Sequence, residues 1–438
     1  MYNDSMEKFD VLLGKLDNLP DGYISRKTIK GKVYSYLQYF ENGKIVSKYV
    51  PKDKLEALEA KLALRKQIEN EIKELADTYD KIEEITIREK ELTGNIMYGD
   101  KVAAKIFKGA VISIDESIAP LYLIRNKDAK AFFANRCVAL TRSNARALLK
   151  ALNINDIDDS IIPLYVNGCV ITDNIWFKPS GSNSTYEDVK FGKNLYSNFA
   201  LFGDKKKYPV GPSRTPEITV PGSFEKCWKF EDGSWYLYKK ENKEEIFCDL
   251  VVHNIAEELG IKTISYDVIG DCVKSKNFTE EYNFDPIGGG IDEVDNLVAI
   301  YSELAKYGNE VQMDYIRIRY LDALTYNIDR TGNDMGLLRN KETGEVVSMA
   351  PNFDNNSTLT AVLPRLDIPA DQDPVVKAFC DFINSDSAIK SNFKKCKLPP
   401  LRKDIIKKCI IKVDNNREDY KEIRNFIFDR FVYISKNI

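Results

Sequence analysis

The sequence predicts an α+β chain built from more than one packed unit, and three observations carry this. Strand-type runs gather in two places, 23–50 and 227–273, each containing a hairpin-type turn. Helical periodicity dominates from residue 294 onward. A length of 438 residues exceeds what one simple core supports, so two or three domains are expected. The expected division is 1–95, 96–210, 211–285 and 286–438.

Composition excludes several classes. With 64 basic against 67 acidic residues the net charge is −3, so any nucleic-acid contact has to be local. The 8 cysteines are scattered without a C-x-x-C pair, which argues against a disulfide framework or a zinc site. They read as reduced thiols of a cytoplasmic protein. The single histidine, His253, lies in a helical pattern and reads as structural, which removes the material for Ser-His-Asp or Cys-His catalysis. The N-terminus is polar and no apolar run reaches 18 residues, so neither a signal peptide nor a membrane partner is expected.

Tyr23 to Ile29, Lys32 to Phe40 and Lys44 to Val50 alternate like strands, separated by Lys30-Gly31 and Asn42-Gly43. Asn-Gly is a strong hairpin signal, so a three-stranded meander is expected. Between 21 and 52 it carries Arg26, Lys27, Lys30, Lys32, Lys44, Lys48 and Lys52 against only Asp21 and Glu41. Tyr34, Tyr36, Tyr39 and Tyr49 interleave with these charges. Basic and aromatic residues on a small sheet suit a nucleic-acid partner through residues 21–52; the same residues also suit a solvated sheet face. From Asp53 to about Ile85, Leu55, Leu58, Leu62, Ile68, Ile72, Leu75, Tyr79 and Ile82 recur at helical steps. That stripe reads as an amphipathic helix packing on a neighbour, or on a second copy as a homodimer through 53–85. Thr93-Gly94-Asn95 reads as the linker out of it.

Residues 96–220 read as mixed structure with a scaffold or docking role. Leu140 to Leu152 contains a helix that Ser143 or Asn144 can cap. Ile171 to Lys178 is a turn leading into an aromatic strand, and the proline-rich 209–221 is loop. The small-residue turn at Pro221-Gly222-Ser223, followed by Lys226, can present backbone N–H groups to a phosphate. No G-x-x-x-x-G-K-[ST] loop occurs.

Cys227 to Phe230 and Trp235 to Lys239 form a predicted hairpin about Glu231 to Ser234. A helix is expected over Glu245 to Leu259, stopped by Gly260. Short strands follow at Ile264 to Val268 and Asp271 to Val273, and Tyr282 to Asp292 reads as a loop. Helices then dominate: Val294 to Tyr307, Met313 to Tyr326 and most of Asp373 onward. Between the last two lie the polar clusters Asn327 to Gly336 and Ala350 to Asn355, with apolar runs on either side. Asp329, Asp334 and Asp354 fit one base and two metal ligands, the set that phosphoryl transfer from Mg-ATP needs. Two surface turns would use the same residue types.

Read in order, Gly222-x-x-x-Lys226, Lys239, Asn327-x-Asp329-Arg330 and Ala350-Pro351-x-x-Asp354 resemble the HipA-like serine/threonine kinases across roughly residues 140–438. The resemblance implies a two-lobed protein-kinase-like fold with a mainly helical C-terminal lobe, carrying the meander and long helix as an accessory module. It implies ATP and Mg²⁺ as cofactors, a protein hydroxyl as acceptor, and a toxin role with an antitoxin partner. By position, Asp329 would be the catalytic aspartate and Asp354 a metal ligand. Lys239 would hold the α- and β-phosphates with Asp249 as its helix partner. Gly222, Ser223 and Lys226 would form the phosphate loop. Asn277-Phe278-Thr279 would be the hinge to adenine, and Thr219 would be the self-phosphorylated hydroxyl.

Three positions depart from that pattern. Thr331 replaces a histidine, Asp334 stands where a metal-binding Asn is expected with Asn333 one residue early, and Asp249 replaces a longer Glu. A degenerate kinase fold that binds nucleotide or nucleic acid as a regulator is therefore an alternative, as is a small-molecule or lipid kinase.

Overall fold

The computed structural model describes residues 11–12, 15–16, 18–41, 44–89, 92–155, 158–203, 214–288, 296–363 and 365–438. The Asn42-Gly43 turn, Pro209 to Ser213 and Gly289-Gly290 lie outside them. The architecture is α+β, with four small antiparallel sheets and a helical C-terminal lobe. No helix among the described residues is long and apolar enough to cross a membrane.

Strands β1 (Tyr23–Ile29), β2 (Lys32–Glu41) and β3 (Lys44–Val50) make the expected meander, and helix α1 (Lys52–Glu89) follows. Ile68 and Ile72 on α1 are buried in a core shared with Leu12, Leu16 and residues 137–201. That part of the apolar stripe is thus covered within the chain and needs no second copy.

The second sheet has the order β6-β5-β4-β7, from β4 (Gly94–Tyr98), β5 (Lys101–Phe107), β6 (Ala110–Ile114) and β7 (Ile175–Pro179). Gly94 and Asn95 are therefore not linker but the start of a central strand. A Cβ at Gly94 would lie 2.3 Å from the Lys178 carbonyl, so the close strand approach requires glycine. The helix predicted over 140–152 is shorter, Ala145–Ala151, and neither Ser143 nor Asn144 caps it with its side chain. Ser143 Oγ instead bonds Glu225 at 2.7 Å, and Asn144 Nδ2 donates to the Ala200 carbonyl at 3.2 Å. Tertiary partners outcompeted the cap.

The third sheet, β10-β11-β9-β8, is the roof over the site. It comprises β8 (Lys226–Glu231), β9 (Ser234–Lys240), β10 (Asp267–Ile269) and β11 (Cys272–Lys276). Asp232 and Gly233 both have positive φ, 50° and 82°, the two-residue turn that fits a twisted hairpin. Side chains alternate along these strands. Cys227, Tyr238 and Cys272 enter the upper core, while Trp228, Leu237, Lys239, Val273 and Ser275 line a cavity on the other face. Helix α2 (Lys243–Glu258) connects β9 to β10, capped by Asn242 and Glu245. His253 on α2 packs edge-on against Tyr266, as a structural residue would.

The fourth sheet joins β12 (Tyr282–Pro286), β13 (Gly336–Asn340) and β14 (Val346–Met349). β12 corrects the expected loop at 282–292. Asn283, Asp285 and Pro286 look like turn residues, yet β12 pairs fully with β13 and the two polar side chains are buried in specific bonds. Asn283 and Asn174 bond each other across elements, and Asp285 accepts from the Leu121 N–H and from Arg339 at 3.0 Å.

Helix α3 (Asn309–Thr325) is the axis of the C-terminal lobe and is buried almost all round. Helices α4 (Pro374–Asn384), α5 (Ser387–Lys395), α6 (Lys403–Val413) and α7 (Tyr420–Asn437) complete this lobe. Their apolar side chains share one core with α2 and α3. Each large side chain buried there contributes ~1.5–3 kcal/mol, which makes the lobe a rigid platform for the loops at its edge.

Candidate active site

Two loops leave the C-terminal lobe and meet. Helix α3 ends at Tyr326, whose left-handed φ of 56° turns the chain sharply out. Asn327, Ile328, Asp329 and Arg330 follow, with Asn327 Oδ1 accepting from the Asp329 N–H at 3.2 Å. The second loop leaves β14 and runs through Asn352, Phe353, Asp354 and Asn355. Arg330 fastens the two together. It is fully buried, with Nε 3.1 Å and Nη2 3.0 Å from Asp322 Oδ1 on α3. It also donates to the Phe353 carbonyl, to Asn352 Oδ1 at 2.7 Å and to Asn355 Oδ1 at 2.8 Å. Asn355 N–H donates to Asp249 at 2.6 Å, which ties the second loop to α2. Asp354 itself has φ of 58°, strained for a residue other than glycine and held by these neighbours.

From above, the roof strands bring Lys226 and Lys239 opposite each other on β8 and β9. Lys239 Nζ lies 2.5 Å from Asp354 Oδ1 and 2.9 Å from Glu241. Burial pushes the Asp354 carboxyl up, but Lys239 and Lys226 more than offset it and hold it at about 2. Burial pushes the Lys226 ammonium down to about 8; Asp354 opposes that shift and Lys239 adds to it. Asp334 is raised by burial and by the charge of Asp354. Its Oδ2 accepts from the Thr331 N–H at 2.9 Å and Thr331 Oγ1 at 2.6 Å. The Thr331 and Asp334 departures are thus one coupled feature: the threonine holds the aspartate.

A cavity of about 460 Å³ lies between roof and loops. Gly222, Ser223, Lys226, Lys239, Asp249, Phe278, Asp329, Asn333, Asp334 and Asp354 all line it, so the structure brings together every nucleotide, base and metal candidate of the sequence. Phe278 packs with Phe284 and Phe353 at 5.8 and 5.5 Å, and Val273 and Leu237 extend that apolar lining. Asn277 to Thr279 connect β11 to β12, with the Asn277 N–H donating to the Trp235 carbonyl at 2.9 Å. Thr219 also lines the cavity, but it is buried and its hydroxyl lies 2.7 Å from the Cys169 carbonyl and 3.0 Å from that of Pro216. As a phosphoryl acceptor it would first have to leave those carbonyls.

One assignment shifts. Asp249 lies in the field of Lys239, but the direct ion-pair partners are Asp354 and Glu241. Asp249 spends one oxygen on the Asn355 N–H and is raised well above its ordinary value, first by burial and then by Glu241. Glu241 was missed; it lies one residue beyond the end of β9 and pairs with Lys239 at 2.9 Å. Arg142 was missed without any local signal. It donates to the carbonyls of Val220 (2.6 Å), Pro221 (3.0 Å) and Gly222 (2.9 Å), holding the phosphate-loop candidate by its carbonyl side. Gly222 is needed there because its φ of 96° is a conformation that residues with a side chain rarely adopt. Arg142→Met is expected to destabilise the fold by about 1–3 kcal/mol, because three carbonyls lose their charged donor. Denaturant unfolding of the variant measures it.

The residues fit a magnesium ion. Among the described residues no three His, Cys, Asp or Glu side chains are placed to hold a metal by themselves. Magnesium is typically bound by one or two carboxylates with substrate phosphates and water completing the shell. Asp354 and Asp334 line the same cavity, and the charge of Asp354 raises Asp334, so the two are candidates for such a pair.

A family model described as "Domain of unknown function (DUF6788)" matches residues 4–60, the start of the chain through the meander into α1. No curated protein matches the sequence. Among solved structures the chain is similar to the Shewanella oneidensis MR-1 toxin–antitoxin system HipA, HipB and operator DNA complex. Identity there is 11% and the TM-score 0.49, with 78% of this chain and 97% of that chain covered. It is also similar to the Helicobacter pylori proinflammatory kinase CtkA, at 17% identity and a TM-score of 0.31, covering 49% of this chain and 90% of that one. Neither likeness assigns an activity to this chain.

Proposed function

We propose that the protein is an ATP-dependent serine/threonine protein kinase. The observation that carries this reading is the convergence of two lysines, Lys226 and Lys239, and three aspartates, Asp329, Asp334 and Asp354, on one cavity with an apolar, phenylalanine-lined wall. Two cations suit a polyphosphate, the aromatic wall suits a base, and two acids suit its metal. Asp329 is exposed beside the exposed Ile328, free to meet an incoming hydroxyl.

In this reading Lys239 moves from Asp354 to the α- and β-phosphates, and the loop from Gly222 to Lys226 covers them. Asp354 and Asp334 would hold Mg²⁺, which would supply charge neutralisation at the phosphates. Asp329 accepts or orients the proton of the acceptor hydroxyl. Arg330 keeps base and metal loops in register. The acceptor is proposed to be a protein and the setting a toxin–antitoxin pair, on the motif order from Gly222 to Asp354. All 8 cysteines are free and buried, which suits a reducing cytoplasm.

Mg-ATP at about 100 times its Kd is expected to stabilise the protein by about 2.7 kcal/mol. Asp354→Ala should abolish that thermal shift; an unchanged shift counts against this metal site. A pH dependence follows from Lys226. Its charged form is present below about 8 and lost above it. kcat/KM for ATP should fall as pH rises through 8, by about tenfold, and Lys226→Arg should carry that limb to higher pH. The sign for stability is opposite. The folded value lies below the ordinary 10.5, so charged Lys226 costs stability at neutral pH, and the cost fades as pH rises from 8 towards 10.5.

A further inference from the structure

The meander uses only one of its faces for packing. Register places Ile24, Arg26, Ser35, Leu37, Val46, Lys48 and Val50 on the inner face. Ser35 and Val50 are buried there, and Arg26 reaches Glu59 on α1 at 2.5 Å. The outer face carries Tyr23, Ser25, Lys27, Ile29, Tyr34, Tyr36, Gln38, Ile45, Ser47 and Tyr49, with Lys32 at its end and Lys30 in the adjoining turn. It is open: Tyr23 is 61% and Tyr49 50% exposed.

Its chemistry is specific. Tyr36 stands directly opposite Tyr49, with ring centroids 5.8 Å apart, and Tyr34 lies 6.2 Å from Tyr49. Lys27 Nζ sits 5.3 Å over the Tyr36 ring. No acidic side chain lies on this face among the described residues, since Asp21 is directed to Arg65 at 3.8 Å. A row of rings edged by cations, with exposed Ile29 and Ile45 beside it and no carboxylate, is complementary to unstacked bases joined by phosphates. A second protein copy would bury Lys27, Lys32, Gln38 and two serines without charge partners, at a desolvation cost. Duplex nucleic acid keeps its bases stacked and offers the rings nothing. Ser25 pairs with Tyr36 and Ser47 with Gln38 across the strands, and the Tyr23 hydroxyl donates to Gln38 Oε1 at 2.6 Å, so polar groups adjoin the rings where a ribose 2′-hydroxyl would lie.

We infer that the outer face of β1–β3 binds single-stranded RNA by stacking bases on Tyr23, Tyr36 and Tyr49, with Lys27 and Lys32 on the phosphates. This inference stands apart from the kinase reading.

The test is fluorescence anisotropy of labelled twelve-nucleotide oligouridylate, chosen because it forms no duplex, with the full-length protein. Saturable binding is expected, weakened about tenfold or more by Tyr23→Ala with Tyr49→Ala. Lys27→Gln with Lys32→Gln should reduce the slope of log affinity against log salt by about 1.4, about 0.7 for each phosphate no longer neutralised. The substituted side chains are all on the open face, and unchanged circular dichroism and melting confirm the fold. Asp329→Asn should bind RNA as wild type does, whatever becomes of its kinase activity. Equal affinity for the matching oligodeoxynucleotide overturns the assignment to RNA. Absence of binding, or binding indifferent to the tyrosine pair, overturns the inference. So does a dimer by light scattering that the tyrosine variant converts to monomer, because it assigns the face to a second copy.

Discussion

Asp329→Asn is expected to lower phosphoryl transfer by about 10²–10⁴-fold while leaving Mg-ATP affinity within about threefold. The amide has nearly the same volume as the carboxylate but cannot take up a proton. Among the described residues nothing that holds the loop depends on that carboxylate: the Asp329 N–H bonds Asn327, and Arg330 makes contacts between the loops. Lys239 and Asp354, proposed above for nucleotide and metal, are paired with each other rather than with Asp329. The loss should therefore fall on kcat and spare Kd. Single-turnover labelling beside calorimetric ATP titration separates the two. A large loss of ATP affinity would place Asp329 among the binding residues instead of at the base position.

Arg330→Ala is expected to be the most destabilising single substitution near the site, by about 3–5 kcal/mol. Both Arg330 and Asp322 have side chains only 1% exposed, so removing the guanidinium leaves a buried carboxylate with Arg319, 3.1 Å from its Oδ2, as its one remaining counter-charge among the described residues. It also strips donors from Asn352, Asn355 and the Phe353 carbonyl. Denaturant unfolding should register the loss, and ATP binding should weaken with it, because Asp354 lies between Phe353 and Asn355. Arg330→Lys keeps the charge but loses the planar fork, and should fall between wild type and alanine. A change below about 1 kcal/mol in Arg330→Ala would mean that the two loops are held by other contacts.

How much of this was legible in the sequence depended on the range of the physics involved. The meander and the 231–234 hairpin were readable because alternation and turn chemistry are local, and Asp232-Gly233 adopts the conformation that its residue types favour. The order of short motifs from Gly222 to Asp354 named the residues that the structure gathers around one cavity. Strand β12 was not readable. Its Asn283 and Asp285 look like turn formers until their partners, Asn174, Leu121 and Arg339, are brought in from distant segments. Arg142 was invisible for the same reason, since its meaning depends on carbonyls 78–80 residues away. The lysine partner was readable only in part. Asp249 was expected on helix position, but the direct partner on the chain beside Lys239 is Glu241, just beyond the end of β9.

The most direct test is transfer of label from γ-labelled ATP, with Mg²⁺, to the proteins of a cell lysate. Wild-type protein is predicted to label at least one lysate protein on serine or threonine, and Asp329→Asn to label none above background. Wild type that binds Mg-ATP but labels nothing, itself included, or label transfer that survives Asp329→Asn unchanged, would contradict the kinase assignment.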